Sequence, residues 1–171
     1  VNVANGISVN VLDSLTGAVA SNYVLTQPTG VTGNITPAPL TISGLTASNK
    51  VYDTTAAATL TGTQVVLGLI GSDTATLSGT ATAGTFASAN VGNAIAVTAN
   101  LSSLSLSNAN YYVAGVTSPL SANITPAPVT ISGLTASNKV YDTTTAATLS
   151  GTSEIAGGLL GSDTATLSGT A

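Results

Sequence analysis

The chain has 171 residues, of which 43% are hydrophobic and only 5% charged, with a formal net charge of −4. That apolar share sustains a folded core, whereas disordered chains are poor in apolar residues and rich in charge. Two lysines, no arginine and no histidine leave no basic footprint for nucleic acid and no polybasic attraction to anionic lipid. No apolar run approaches the roughly 18 residues that cross a bilayer, so membrane insertion is not expected either. The absence of cysteine removes disulfides, thiolate metal sites and thiol nucleophiles; in a repetitive chain it favours the cell exterior. The opening VNVANG has no signal-peptide character, as expected of an excerpt from a longer chain.

An internal repeat dominates the sequence. ISGLTASNKVYDTT at Ile42–Thr55 returns unchanged at Ile131–Thr144, an offset of 89, and the only cations, Lys50 and Lys139, lie inside it. A period of that length suits a small β domain better than a solenoid turn of about 20 to 45 residues. The expected division is residues 1–39 as the C-terminal part of a repeat, 40–128 as a complete one and 129–171 as the N-terminal part of the next.

In residues 1–39, Ile7, Val9 and Tyr23 match Ile95, Val97 and Tyr111, and NITPAP at Asn34–Pro39 matches Asn123–Pro128. A one-residue length difference between Tyr23 and Asn34 places a loop there. Pro37 and Pro39, like Pro126 and Pro128, fix φ and hold their predecessors extended. TPAP therefore reads as a stiff inter-repeat joint or an edge-strand entry.

In the complete copy, Leu40 and Ile42 alternate with Thr41 and Ser43 as a half-buried strand. LTASNK predicts a turn, Ala58–Gly62 a second strand, and Val65–Ile70 a buried strand or one helical turn. Ala75–Gly79, Ile95–Leu101 and Tyr111–Val116 add further strands. Short alternating runs between Gly, Ser and Asn turns predict antiparallel all-β domains, immunoglobulin-like sandwiches or β-grasp-like, of about 89 residues each. Tyr52, Tyr111, Tyr141 and Phe86 are expected to plug the small cores.

The last stretch repeats GSDTATLSGTA, at Gly71–Ala81 and again at Gly161–Ala171, with one extra residue expected in a loop around Glu154–Gly158. Joining tail to head, Ala171 matching Ala81 and Val1 matching Ala89, omits only the equivalents of Thr82–Ser88. Two readings follow. Either the chain is cut from a longer array, or residues 129–171 of one molecule complete residues 1–39 of the next by strand addition.

Catalysis fails on inventory. Without histidine, and with no serine beside a base in a triad-like motif, neither an enzyme nor a cofactor is expected. Lys50–Asp53 and Lys139–Asp142 carry two readings: a surface ion pair in a turn, or an isopeptide bond inside an apolar core with Asp73 or Asp163 assisting. The second requires a lysine buried without its charge. Asp73 and Asp163 are weighed as calcium ligands against turn formers; one carboxylate per loop falls short of the about six to eight oxygens calcium takes. NIT at Asn34 and Asn123 and NLS at Asn100 match the glycosylation sequon, in a chain whose composition generates such matches by chance. With almost no lysine to guard strand edges, neighbouring repeats or neighbouring copies are expected to cover them.

Taken in order, KVYDTT, TLTGT, GSDTATLSGTA, ANVGNAIAV, NYYVAG and NITPAP resemble the YDG-type repeats of giant secreted bacterial adhesins. Those repeats are similar to MBG-type repeats and occur in filamentous-haemagglutinin-like exoproteins. The resemblance covers essentially the whole chain, and departs where Thr54 and Thr143 stand in place of the glycine after the Tyr–Asp pair. It implies a stalk or passenger repeat of a secreted, extracellular or cell-surface protein and no catalytic residues. The expected function is thus a structural, adhesive stalk; the alternative is a self-assembling fibre or sheath subunit. Expected partners are copies of itself, with host or neighbouring-cell glycans or proteins engaged by another region.

Overall fold

The computed structural model describes residues 2–169. Strands β1 (Ala4–Ser8) and β2 (Thr32–Ile35) precede β3 (Ala38–Ser43), β4 (Thr46–Ala47) and β5 (Lys50–Val51). Next come β6 (Ala57–Thr61), β7 (Val65–Leu67), β8 (Leu77–Ser78), β9 (Ala83–Phe86) and β10 (Gly92–Ala99). The remainder is β11 (Ser105–Leu106), β12 (Tyr111–Val116), β13 (Leu120–Thr125), β14 (Thr130–Ala136) and β15 (Leu149–Gly157). A single 3-10 turn at Ala20–Asn22 is the only helical element among the described residues. No helix there is long and apolar enough to cross a membrane. The chain is all-β.

Two compact units divide these strands. The first takes the stretch up to Gly44, Thr63–Ala81 and Leu101–Ser118. Its three-stranded sheet has the order β12-β3-β7, beside the pairs β1–β2 and β8–β11. Leu40 and Ile42, on the inward face of β3, are fully buried, and Ala81 and Tyr111 are buried in the same unit. Each large aliphatic side chain buried in this way contributes about 1.5–3 kcal/mol.

The second unit takes Leu45–Gly62, Thr82–Asn100 and the stretch from Pro119 onward. Its six-stranded sheet runs β4-β6-β9-β10-β13-β5, with β14–β15 as a separate pair. Period-2 alternation places Ala58 and Leu60 of β6, Val97 of β10, and Leu120, Ala122 and Ile124 of β13 inside. Phe86 ends β9 buried among the same set of strands.

The alternation predicts antiparallel pairing throughout, but two of the pairings are parallel. β3 pairs with β12 in parallel, Leu40 opposite Val113 and Ile42 opposite Val116, and β5 pairs with β13 in parallel. Parallel neighbours need a long connection, and here the body of the copy between β3 and β12 supplies it. Val65–Ile70 also differs from expectation. Only Val65–Leu67 is a strand, and Val65 and Leu67 are exposed, because β7 lies at the edge of its sheet.

Registers recur at the sequence offset. β1 pairs with β2 as Ala4–Ile35, Ile7–Gly33 and Ser8–Thr32; β10 pairs with β13 as Gly92–Ile124, Ile95–Ala122 and Ala96–Ser121. Each counterpart lies 88 or 89 positions on, and both ladders carry their bulge at the same place. The bulge residues Gly6 and Ala94 share positive φ, and each donates its backbone N–H to an asparagine, Asn34 Oδ1 at 2.9 Å and Asn123 Oδ1 at 2.8 Å. Two of the three sequon asparagines therefore staple a bulge.

The hairpin that opens each copy repeats too. Ile131 faces Ile155 and Thr135 faces Ser150 along β14–β15, where Ile42 faces Val66 and Thr46 faces Thr61 in the complete copy. At Gly44 and Gly133, φ is +80° and +86°, and an added Cβ would lie 2.0 and 2.1 Å from the carbonyl oxygens of Thr63 and Thr152. Only glycine fits a backbone approach that close. The extra residue expected in a loop near Glu154–Gly158 lies instead in β15. Thr130 faces Gly157 while Ile131 faces Ile155, so Ala156 is the insertion, absorbed as a β-bulge.

Same register does not bring the same burial. Ile131, the counterpart of buried Ile42, is 56% exposed, and Leu149, the counterpart of buried Leu60, is also exposed. Backbone pairing is thus local, whereas burial depends on neighbours that only the complete copy has. The tail-to-head match of Val1 and Ala171 lies outside the described residues.

Candidate functional site

The KVYDTT turn is built on the parallel step of β5 against β13. Lys50 faces Ile124, Val51 faces Thr125, and the Tyr52 N–H extends the ladder to the Thr125 carbonyl at 2.8 Å. The chain then reverses through Thr54 at φ +69°. Asp53 Oδ1 accepts from the Thr55 N–H at 2.9 Å and from the Thr55 hydroxyl at 2.8 Å, an Asx-turn closure. Lys50 Nζ lies 2.6 Å from the same oxygen and donates to the carbonyls of Thr55 at 2.8 Å and Ala57 at 3.1 Å. Its ammonium also sits 5.8 Å from the Phe86 ring centre, within cation–π range.

This network acts on the Asp53 carboxyl. The Lys50 ammonium, followed by the Thr55 N–H and hydroxyl, lowers the Asp53 carboxyl to about 2. Asp53 keeps about half of its side chain exposed and Lys50 17%, and the two form an ion pair that reaches the surface through the carboxylate. An amide bond between them would need a neutral amine and an apolar surround. Asp73 and Asp163, the proposed assistants, hydrogen-bond tyrosines instead.

The second turn reproduces the first without strand support. Lys139 Nζ lies 2.7 Å from Asp142 Oδ1 and donates to the Thr144 carbonyl at 2.9 Å; Asp142 accepts from the Thr144 N–H at 3.0 Å. Thr143 takes φ +65°, and the Lys139 ammonium, ahead of the Thr144 donors, lowers the Asp142 carboxyl. Yet no strand forms at Lys139 or Val140. The network is therefore written in six consecutive side chains. The left-handed φ after Asp53 and Asp142 also gives the reason for the resembling family's glycine at that point, since glycine takes this conformation without strain.

Two tyrosine–aspartate bonds were not legible beforehand. Tyr111 donates to Asp73 Oδ2 at 2.7 Å, and its hydroxyl accepts the Ile70 N–H at 3.2 Å. Tyr52 donates to Asp163 Oδ2 at 2.8 Å, from the complete copy to the next. Asp73 and Asp163 are counterparts in GSDTAT and turn back on Ile70 and Leu160 through their own N–H groups. Hydrogen bonding to the carboxylate raises both tyrosine hydroxyls above the ordinary value, with Asp73 the first cause for Tyr111 and Asp163 for Tyr52. Tyr111 is buried as expected, but Tyr141 is 87% exposed rather than in a core, because no counterpart of β13 pairs with its turn. Among the described residues no group of three His, Cys, Asp or Glu is placed to hold a metal ion.

The prolines flank these turns. Pro37 precedes β3 and Pro39 lies inside it, opposite Tyr112 of β12. β7 reaches only Thr41–Ser43, so at Pro39 one side of β3 has no ladder for the missing N–H to break. Pro126 and Pro128 lie in the segment between β13 and β14. Val91, Pro126, Ala127, Val129 and Leu160 gather around the Tyr52–Asp163 bond there.

Comparison with known families matches the YDG domain to residues 36–118 and 125–171, each match opening within a TPAP segment. No curated protein and no solved structure matches the chain.

Proposed function

The chain belongs to the YDG-domain family, and on that premise we propose that it is a mechanical spacer. In this reading a tandem array of all-β repeats, each about 89 residues and immunoglobulin-like or β-grasp-like, forms the stalk of a secreted bacterial surface adhesin or extracellular filament. The observation that carries it is the recurrence of registers, bulges and Lys–Asp networks at one offset. Prolines at each joint hold the backbone extended, and a Thr, Ser and Asn surface limits ionic contacts. No catalytic role is assigned; contacts with host or neighbouring-cell surfaces fall to another region of such a protein.

A second reading, a self-assembling fibre or sheath subunit, is favoured by one specific contrast. Ile131 and Leu149 are exposed where their counterparts Ile42 and Leu60 are buried, so residues 129–171 need a further stretch of repeat packed against them, and in this reading a second copy supplies it by strand complementation. Electron microscopy of the native assembly separates the two. A shaft ending in a distinct tip supports the stalk, and a filament that repeats without a tip supports the fibre.

A further inference from the structure

Among the described residues every strand pairing is antiparallel except two, and both exceptions join an opening strand of the complete copy to a closing one. β3 lies beside β12 and β5 beside β13, and in both ladders the partners stand 73 or 74 positions apart. The first ladder is closed at each end by a further backbone bond. The Ala38 N–H donates to the Asn110 carbonyl at 2.9 Å, and the Thr117 N–H to the Ile42 carbonyl at 2.9 Å. The second is prolonged by Asn49, whose Oδ1 accepts the Asn123 N–H at 2.7 Å, and by the Tyr52 N–H on the Thr125 carbonyl. Side chains anchor the first ladder. Leu40 and Ile42 of β3 are fully buried, and the hydroxyl of Tyr111, which starts β12, is bonded to Asp73 and Ile70.

We infer that these two ladders are tension clamps, by which the repeat resists being drawn out along the chain. Tension enters the copy at Pro37 and Pro39, where β3 starts, and leaves through β12, β13 and Pro126. In a parallel pair the incoming end of one strand and the outgoing end of the other lie at opposite ends of the ladder. Pulling them apart slides the strands along each other and loads the bonds between them together. An antiparallel hairpin pulled at its open end gives way one bond at a time. Parallel pairing is slightly the less stable per residue at rest, so its advantage here lies in the direction it resists. Forced unfolding is governed by the unfolding rate, and bonds that must fail together slow it. The inference rests on the spacer reading above, which supplies the tension.

Single-molecule force spectroscopy on the full chain tests it. The chain has no cysteine, so a pair of introduced cysteines sets the points of attachment. Thr36→Cys with Ser118→Cys grips the β3–β12 ladder at opposite ends, and Thr36→Cys with Ala109→Cys grips it at one end; all three positions are exposed. At the same loading rate the first pair is expected to need a several-fold higher rupture force than the second. Thr117→Pro, which removes the N–H bonded to Ile42, is expected to lower the force of the first pair. It should leave that of the second, which opens from the Ala38 end. Thr117→Ala, which keeps the N–H, is expected to match the unsubstituted chain. Circular dichroism checks folding, and the two geometries decide alone should the proline variant not fold. Equal forces in the two geometries, a lower force for the first pair, or a folded Thr117→Pro chain that ruptures at an unchanged force overturns the inference and leaves the spacer reading standing. Arrays that image as flexible strings overturn the spacer reading instead.

Discussion

Tyr52 and Tyr141 occupy the same place in an identical stretch of sequence, yet Tyr52 donates to Asp163 at 2.8 Å and Tyr141 is 87% exposed. Strand pairing makes the difference. β13 holds Lys50 and Val51 and aims Tyr52, whereas no strand forms at Lys139 and Val140. The ionic network of the turn is alike in both places. Local sequence thus fixes the turn, and the surrounding repeats fix what the tyrosine reaches.

The same contrast gives a stability test. Ile42→Ala is expected to cost about 2–5 kcal/mol, the range for emptying a well-packed site. Ile131→Ala, in the same motif at 56% exposure, is expected to change stability by less than about 0.5 kcal/mol. Urea unfolding of the two variants measures both. Equal losses would mean that Ile131 is buried in solution.

Thr54 and Thr143 hold a β-branched side chain at φ +69° and +65°, where L-residues are disfavoured by about 1–2 kcal/mol. Thr54→Gly is expected to stabilise the fold by about 1 kcal/mol, the relief of strain exceeding the added chain entropy. Thr54→Ala, which keeps a Cβ, is expected to gain little. Thermal melts distinguish the two; a destabilised glycine variant would contradict the left-handed turn.

Much of this was legible in the sequence. Alternation at Leu40–Ser43 and Ala58–Thr61 gave β3 and β6 with the right inward faces, and the run from Tyr111 to Val116 gave β12. The alternating runs pointed to antiparallel neighbours throughout, so the parallel steps β3–β12 and β5–β13 stayed hidden. The tyrosine–aspartate bonds were hidden for a related reason: their partners lie 38 and 111 residues apart, and no local pattern links them. Lys50–Asp53 was legible because a three-residue separation is short enough for one turn to close.

Acid and base limbs of stability follow from the shifted groups. Asp53, lowered to about 2, holds fewer protons folded than unfolded between its folded and ordinary values. Its contribution is therefore complete above about pH 4 and is lost as pH falls toward 2; Asp142 shifts in the same direction. Tyr52 and Tyr111 are raised above 10.0, so their contribution is complete below about pH 10 and is lost as pH rises past it. Melting temperatures against pH check both limbs. Asp53→Asn is expected to shallow the acid limb, and Tyr111→Phe the alkaline one.

Lys50 and Lys139 are expected to carry no covalent bond to Asp53 and Asp142. The intact mass of the purified protein should equal the sum of its residues. A deficit of one water per Lys–Asp pair would replace the ion pairs with covalent bonds.

Contour length tests the central claim most directly. Recombinant arrays of increasing numbers of the 40–128 repeat, imaged singly by atomic force microscopy, are expected to lengthen in direct proportion to repeat number with little bending at the joints. End-to-end distances growing only as about the square root of repeat number, the signature of a flexible string, would contradict the spacer.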